Sequence, residues 1–158
     1  MIFVDSNIPM YVAGREHPNR EPSLHFLELA RSGVIDICSS AEVLQEILYR
    51  YTRINHAELG YQVYELFASI CPVILPVTVA DTDRARDLLR EISGPGVRDV
   101  LHAAVMLNHG IDEIATFDKG FDRIPGIRRI PSLQSGATSR DVDPSPRTTP
   151  SSGRPGAR

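Results

Sequence analysis

Tryptophan is absent from the 158 residues, and Tyr and Phe number five each. So thin an aromatic supply argues against the large base-stacking platform that many single-strand binders use. An excess of basic charge is missing as well: 17 Lys and Arg stand against 20 Asp and Glu, a formal net charge of −3. Proteins that simply coat nucleic acid are usually strongly basic, so that class is disfavoured. A nucleic-acid substrate stays open, because a site built from carboxylates keeps its negative count until a metal neutralises it.

Only two cysteines occur, Cys38 in VIDICSS and Cys71 in ASICPVILPV. Two isolated cysteines define neither a disulfide framework nor a zinc spacing. Both read as small buried hydrophobes, which suits a reducing cytosol. No apolar run is long enough to span a bilayer, so no membrane is expected. The start, MIFVDSN, reaches an acid at residue 5 without the basic and then apolar stretches of a signal peptide. Other absences narrow the chemistry. Ser6 lacks the G-x-S-x-G setting of a nucleophilic serine. The Gly-Pro-Gly at 94–96 is followed by no Lys-Ser or Lys-Thr, so it is not a phosphate loop. His102 and His109 share one helical segment, but no Cys or third His stands ready to complete a zinc site; they read as ordinary helix positions.

What remains is ordinary globular composition, 42% hydrophobic and 23% charged. The length suits one domain with a real core. MIFVD, VIDICSS and DEIATFD are short apolar runs that read as buried strands. PVILPV is a fourth, and its flanking prolines, Pro72 and Pro76, suit a sheet edge. KGFDRIPGIRRI reads as a turn and a last strand. Between these runs lie helical segments. Ser6 or Asn7 can cap a short turn with Pro9 near its start. SLHFLELARSG has Ser23 as a candidate N-cap and Gly33 as its stop. SAEVLQEILYRYTRI repeats Val43, Leu44, Ile47, Leu48 and Tyr51 at the helical period. HAELGYQVYELFASIC continues as helix. TVADTDRARDLLREIS carries acids in its first turn, which suits the helix dipole. VRDVLHAAVMLNHG turns Leu101, Ala104, Val105 and Leu107 to a core and ends at Gly110.

From Ser132 onward the composition changes: 16 of 27 positions are Ser, Pro, Gly or Thr. A segment so poor in apolar residues cannot order itself by burial, so 132–158 is expected to be a disordered tail. It carries a net +2, leaving −5 on the body, residues 1–131. Strands alternating with helices in that body predict an α/β sandwich on a mostly parallel sheet. Such sheets bind ligands beyond the carboxyl ends of their strands.

Two acids stand at predicted strand ends, Asp5 and Asp118. Asp99 opens a helix just after the Gly-Pro-Gly, and Glu46 lies inside an amphipathic helix. Parallel strands could bring Asp5 and Asp118 to one edge, with Asp99 entering from its helix N-terminus. Clustered carboxylates repel and drive one another toward the protonated form. A hard divalent cation relieves that, and Mg²⁺ takes oxygen ligands while keeping several waters. Thr116, two residues before Asp118, could hydrogen-bond a ligand carboxylate. Asp122, four residues beyond, could bind through water or simply pair with Arg123 or another neighbour. Arg50, Arg53, Arg98, Lys119 and Arg123 flank these acids and could contact phosphates. Each acid also has a plainer role available: a cap for Asp5, a helix-end charge for Asp99, a pair with Arg50 for Glu46, a turn for Asp118.

FVDSN, SSAEVLQEILYRY, VRDVLHAAVMLNHG and IATFDKGFDRIPGI together resemble the four acidic blocks of PIN domains. They are most similar to the VapC-like ribonuclease toxins of type II toxin–antitoxin modules. The likeness runs from residue 1 to about 131, in the family's order and spacing; the tail has no counterpart. It implies a PIN-like three-layer fold and cleavage of RNA by metal-activated water, with Mg²⁺ or Mn²⁺. It implies Asp5 and Asp99 as main metal ligands, Asp118 as a direct or water-mediated one, and Glu46 orienting or deprotonating the water. Ser6 and Thr116 would support them. Glu42, one turn earlier, competes with Glu46, which leads into ILYRY as the family pattern does. The resemblance also implies a small antitoxin bound near the site and a homodimer; apolar residues of ELGYQVYELF could serve either contact or the core. Two rivals are a PIN-like module that binds without cutting and a phosphotransfer receiver. The receiver would want two adjacent acids after the first strand, where VDSN offers one.

Overall fold

Short apolar runs build a parallel sheet in this computed structural model, which describes residues 1–130. The strands are β1 (Ile2–Val4), β2 (Ile37–Ser40), β3 (Ile74–Leu75), β4 (Glu113–Ala115) and β5 (Arg128–Arg129). All neighbouring pairs are parallel, in the order β3-β2-β1-β4-β5. Phe3 of β1 is in register with Cys38 on one side and Ile114 on the other. Phe3, Val4, Ile37, Cys38, Ile114 and Ala115 are buried, as expected of a sheet covered on both faces. The edge expected from Pro72 and Pro76 is β3, and both prolines fall just outside it. The tail expected at 132–158 lies outside the described residues.

The helices are α1 (Asn7–Ala13), α2 (Arg20–Arg31), α3 (Ala41–Arg53), α4 (Ala57–Ile70), α5 (Val79–Glu91) and α6 (Val97–Asn108). α1 packs on α2 and α4, α3 on α4, and α5 on α6. Parallel crossovers are right-handed as a rule, which with this strand order and these helix pairings assigns α1–α4 to one face of the sheet and α5–α6 to the other, a three-layer sandwich. The chain builds outward from β1 in one direction, through β2 to β3, then returns past β1 to β4. The order therefore reverses beside β1, and a crevice opens beyond its carboxyl end.

Local chemistry sets the helix limits. The Ser40 hydroxyl accepts from Val43 N–H and starts α3. Its Val43, Leu44, Ile47 and Tyr51 are buried at the expected spacing. Asn55 ends it with φ of 58°, a left-handed turn that Asn tolerates. His56 N–H reaches Tyr51 O and Asn55 N–H reaches Thr52 O, a Schellman closure. α2 differs from expectation. It begins at Arg20, so Ser23 is inside the helix, where its hydroxyl donates to Asn19 O at 2.7 Å. A serine satisfied by the carbonyl one turn back needs no cap position. On α6 the buried face is broader than expected and shifted: Val100, Ala103, Ala104, Val105 and Met106 are buried, while Leu101 and Leu107 are half-buried. That follows from packing against both the sheet and α5.

Two positions make this packing testable. Gly60 lets α4 approach α3: a Cβ there would lie 2.6 Å from Tyr51 Cβ. Ala normally stabilises a helix interior over Gly. Here Gly60→Ala should instead lower stability by about 1–3 kcal/mol through overpacking, read by urea denaturation. Asp81 is buried and accepts from Thr78 N–H, the Thr78 hydroxyl and Asn108 Nδ2, each at 2.7 Å, tying the start of α5 to the end of α6. Burial alone would raise its pKa; the donors from Thr78 and Asn108 outweigh it and hold it below the ordinary 3.8. Its stabilisation is therefore present above that value and is lost as pH falls through the lowered one. Asp81→Ala should cost about 1–3 kcal/mol at neutral pH. The gap to wild type should narrow in denaturation curves taken below pH 3.8.

Candidate metal centre

Asp5 is the first residue past β1, and its N–H still donates to Ala115 O at 3.1 Å. That bond extends the ladder by one step and fixes Asp5 beside β4. The next residue after β4 is Thr116, whose hydroxyl donates to Asp5 Oδ2 at 2.6 Å. The Thr116 hydroxyl oxygen itself accepts from Asn7 Nδ2 at 2.8 Å and from Asp118 N–H at 3.0 Å. One hydroxyl thus joins the end of β1, the start of α1 and the turn carrying Asp118. Asp118 Oδ1 in turn accepts from Gly120 N–H at 2.7 Å and starts the 3-10 turn at 119–123.

Asp99 enters from the first turn of α6, where its Oδ2 accepts from Gly96 N–H at 3.0 Å. A Cβ on Gly120 would lie 3.0 Å from Asp118 Oδ1 and 3.7 Å from Asp99 Oδ2, so these two carboxylates converge on one glycine. Glu46 arrives from the middle of α3. The Ser6 hydroxyl donates to its Oε2 at 2.8 Å and Arg98 Nη1 donates to its Oε1 at 3.2 Å. Ser6 Oγ also lies 3.4 Å from Asp5 Oδ1, but its single proton serves the shorter bond.

His102, 1% exposed, closes the group from α6, one turn beyond Asp99. Its Nε2 is 3.5 Å from Glu46 Oε2, an ionic contact, and neither ring nitrogen makes a hydrogen bond. One ligand atom each from Asp5, Glu46 and His102 lie within 4.8 Å of one another. The sequence does not announce this placement, because His102 and His109 match no zinc pattern. The usable signal was the i, i+3 spacing from Asp99, which puts His102 on the same helix face. Asn7, which bonds both Asp5 and Thr116, was also missed as anything but a cap.

Burial shapes the electrostatics. Asp5 is 6% exposed, and that burial raises its pKa above 3.8 against the lowering effects of His102 and Thr116; Glu46 and Asp99 push it the same way. Asp99 is raised too, by its burial first and by Asp118 and Glu46, against its bond from Gly96. Glu46 goes the other way. Its burial would raise it, but His102, Ser6 and Arg98 hold it at about 2. For His102 burial would lower the pKa, and Glu46, Asp5 and Glu42 outweigh it.

Asp5, Glu46, Asp99 and Asp118, with Ser6 and Thr116, are therefore brought to one end of the sheet. Glu42 is not among them; its Oε1 reaches only Arg98 Nε, at 4.0 Å. Asp122 is engaged elsewhere, gripped by Arg129 through two bonds of 2.7 and 2.6 Å rather than by Arg123. This is the plainer of the two roles open to it, a surface pair, made with another neighbour. Arg123 instead lies against Gly94. His109 bonds Val105 O within its own helix. Arg98 leans over the Tyr49 ring at 4.9 Å. A groove of about 940 Å³ leads away from Ser6 and Glu46, walled by Tyr11, Arg15, Tyr49, Arg50 and Arg98 among others. Lys119 is exposed beside Asp118.

Comparison with known proteins gives a consistent picture. The PIN domain family matches residues 2–127. A VapC ribonuclease of Mycobacterium bovis is 42% identical over 130 residues, spanning 82% of this chain and 99% of its own length. Ribonuclease VapC23 of Mycobacterium tuberculosis is 38% identical over 118 residues, 75% of this chain and 93% of its own. Among solved structures, VapBC2 of Rickettsia felis, bound to a DNA fragment from its promoter, shares the fold at a TM-score of 0.66. Its identity is 23%, with 82% of this chain and 98% of that one covered.

The raised pKa of Asp5 has a stability consequence. A carboxyl raised in the folded state favours folding while protonated, and that advantage is lost as pH rises through its folded pKa. At neutral pH the buried charge is a cost. Asp5→Asn should therefore raise the melting temperature in EDTA by at least about 2 °C, and the difference should close as the pH is lowered. A lower melting temperature at neutral pH would contradict this account.

Proposed function

Because the chain belongs to the PIN-domain family, we propose that it is a metal-dependent endoribonuclease, the toxin of a type II toxin–antitoxin pair. The observation that carries this reading is the meeting of four acids, Asp5, Glu46, Asp99 and Asp118, drawn from β1, α3, α6 and the turn after β4. Their donor set fits a hard cation such as Mg²⁺ or Mn²⁺. Carboxylate oxygens dominate it, two of the acids have raised pKa values that a cation would relieve, and buried polar atoms of Asn7 and His102 lack partners. Asp5 and Asp99 would hold the ion, with Asp118 completing the shell directly or through water. When bound, such an ion lowers the pKa of water and offsets charge on the phosphoryl group.

The protein's own groups do the positioning. Thr116 and Asn7 hold the Asp5 carboxylate in one orientation. Glu46 is held at about 2 by His102, Ser6 and Arg98 against its burial, so it is ionised at neutral pH. It would orient or deprotonate the attacking water. His102 packs against Phe3 at 5.8 Å between ring centroids, and Glu46, Asp5 and Glu42 raise its pKa against its burial. Arg98, Arg50 and Lys119 rim the acids and would hold the RNA backbone, which fixes register but reads no sequence.

The antitoxin and a second copy of the chain are the proposed protein partners. Of the segment 58–67, Gly60, Val63 and Phe67 are buried in the core, while Leu59, Tyr61 and Leu66 stay exposed and would be open to either contact. No helix among the described residues is long and apolar enough to cross a membrane. The two free, buried cysteines fit work in the cytosol.

Asp99→Asn should reduce cleavage of single-stranded RNA at least about 100-fold, in line with losing one electrostatic stabiliser, with the melting temperature nearly unchanged. EDTA should stop the wild type, and Mg²⁺ or Mn²⁺ should restore it. Cleavage by Asp99→Asn at the wild-type rate would refute the assignment.

A further inference from the structure

Aromatic side chains are scarce in this protein, yet two of them and a histidine meet beside the acids. Phe117 sits between Thr116, which holds Asp5, and Asp118. The Tyr11 ring meets Phe117 edge-on, with centroids 5.3 Å apart and planes at 86°. His17 stacks on Tyr11 at 4.6 Å and 24°. Tyr11 lies one helical turn beyond Asn7, which bonds Asp5 and Thr116, and it walls the groove with Arg15 and Arg50. The series runs outward: Phe117 and Tyr11 are half-buried and His17 is exposed.

The outermost ring is held in place. Asn19 N–H donates to His17 Nδ1 at 3.1 Å, which fixes the ring plane and leaves the ring proton on Nε2. A solvent-facing ring stacked on a second ring and oriented by a backbone donor is preorganised to receive another flat group. Unpaired nucleobases stack on such faces whatever their identity, while cations track the phosphates. Arg15 and Arg50 on the groove wall supply those cations, and the acids stand where a neighbouring phosphodiester would be cut.

We infer that Tyr11, His17 and Phe117 form a small stacking step that takes one unpaired base of the RNA beside the scissile phosphate. The inference rests on the ribonuclease reading and narrows it to substrates unpaired at that position. It also requires three rings and no more, which the low aromatic content allows.

The test uses the full chain with Mg²⁺ and a fluorophore- and quencher-labelled single-stranded RNA 12-mer of mixed sequence. His17→Ala should raise KM about tenfold, the usual scale for losing one base stack, and more than it lowers kcat. His17→Trp should restore the wild-type KM. The rise in melting temperature on adding Mg²⁺ should match wild type in both variants, because His17 touches none of the acids. One abasic position is then stepped along the strand. At one position its effect should be about tenfold for wild type and absent for His17→Ala. If wild type cuts the RNA and His17→Ala does so with an unchanged KM, the stacking step is refuted and the nuclease reading stands. If His17→Ala loses only affinity for an antitoxin peptide, the rings serve a protein and the inference also fails. If wild type leaves the RNA intact with Mg²⁺, the ribonuclease reading falls and takes this with it.

Discussion

Mutual repulsion among carboxylates is the constraint around which this end of the molecule is built. Asp5 is buried, Asp99 is half-buried, and both feel the other acids. Such a group stays together only if neutral donors and fixed cations hold it. Thr116, Asn7 and Ser6 supply the donors, Arg98 supplies positive charge, and His102 lies 3.5 Å from Glu46. The Thr116 hydroxyl is the hinge of that arrangement, since it touches groups from β1, α1 and the turn after β4 at once. These contacts fix the orientation of the Asp5 and Glu46 carboxylates.

The sheet order explains why these groups meet. With β1 in the middle, the chain places β2 and β3 to one side and β4 and β5 to the other. Asp5 and Thr116 leave adjacent parallel strands at the same edge. α3 and α6 come from opposite layers, yet Glu46 and His102 approach each other beyond that edge, where no strand separates the layers. The acids therefore sit at the reversal point that open α/β sheets use for ligands. The groove and the aromatic step continue from this point along α1.

The four blocks were legible because each couples an acid to a strong local signal: a buried strand end for Asp5 and Asp118, a first helical turn for Asp99, an amphipathic stripe for Glu46. Helix and strand periods carried most of the fold for the same reason. The start of α2 was misplaced because Ser23 has the chemistry of a cap but satisfies its hydroxyl within the helix. For Asp122 the sequence left a water-mediated role and a surface pair both open, and the partner that decided it, Arg129, lies on β5, seven residues on.

By itself the sequence determined the alternation of strands and helices, the edge position of the proline-flanked strand, and the four acids. Those follow from side-chain burial and periodicity, which act over a few residues. Only the tertiary structure decided that His102 stands among the acids, that Glu46 rather than Glu42 faces them, and that His17 stacks on Tyr11 while Tyr11 meets Phe117 edge-on. Each of those depends on contacts between elements far apart in the chain. No local propensity encodes them, because they exist only once the layers have closed on the sheet.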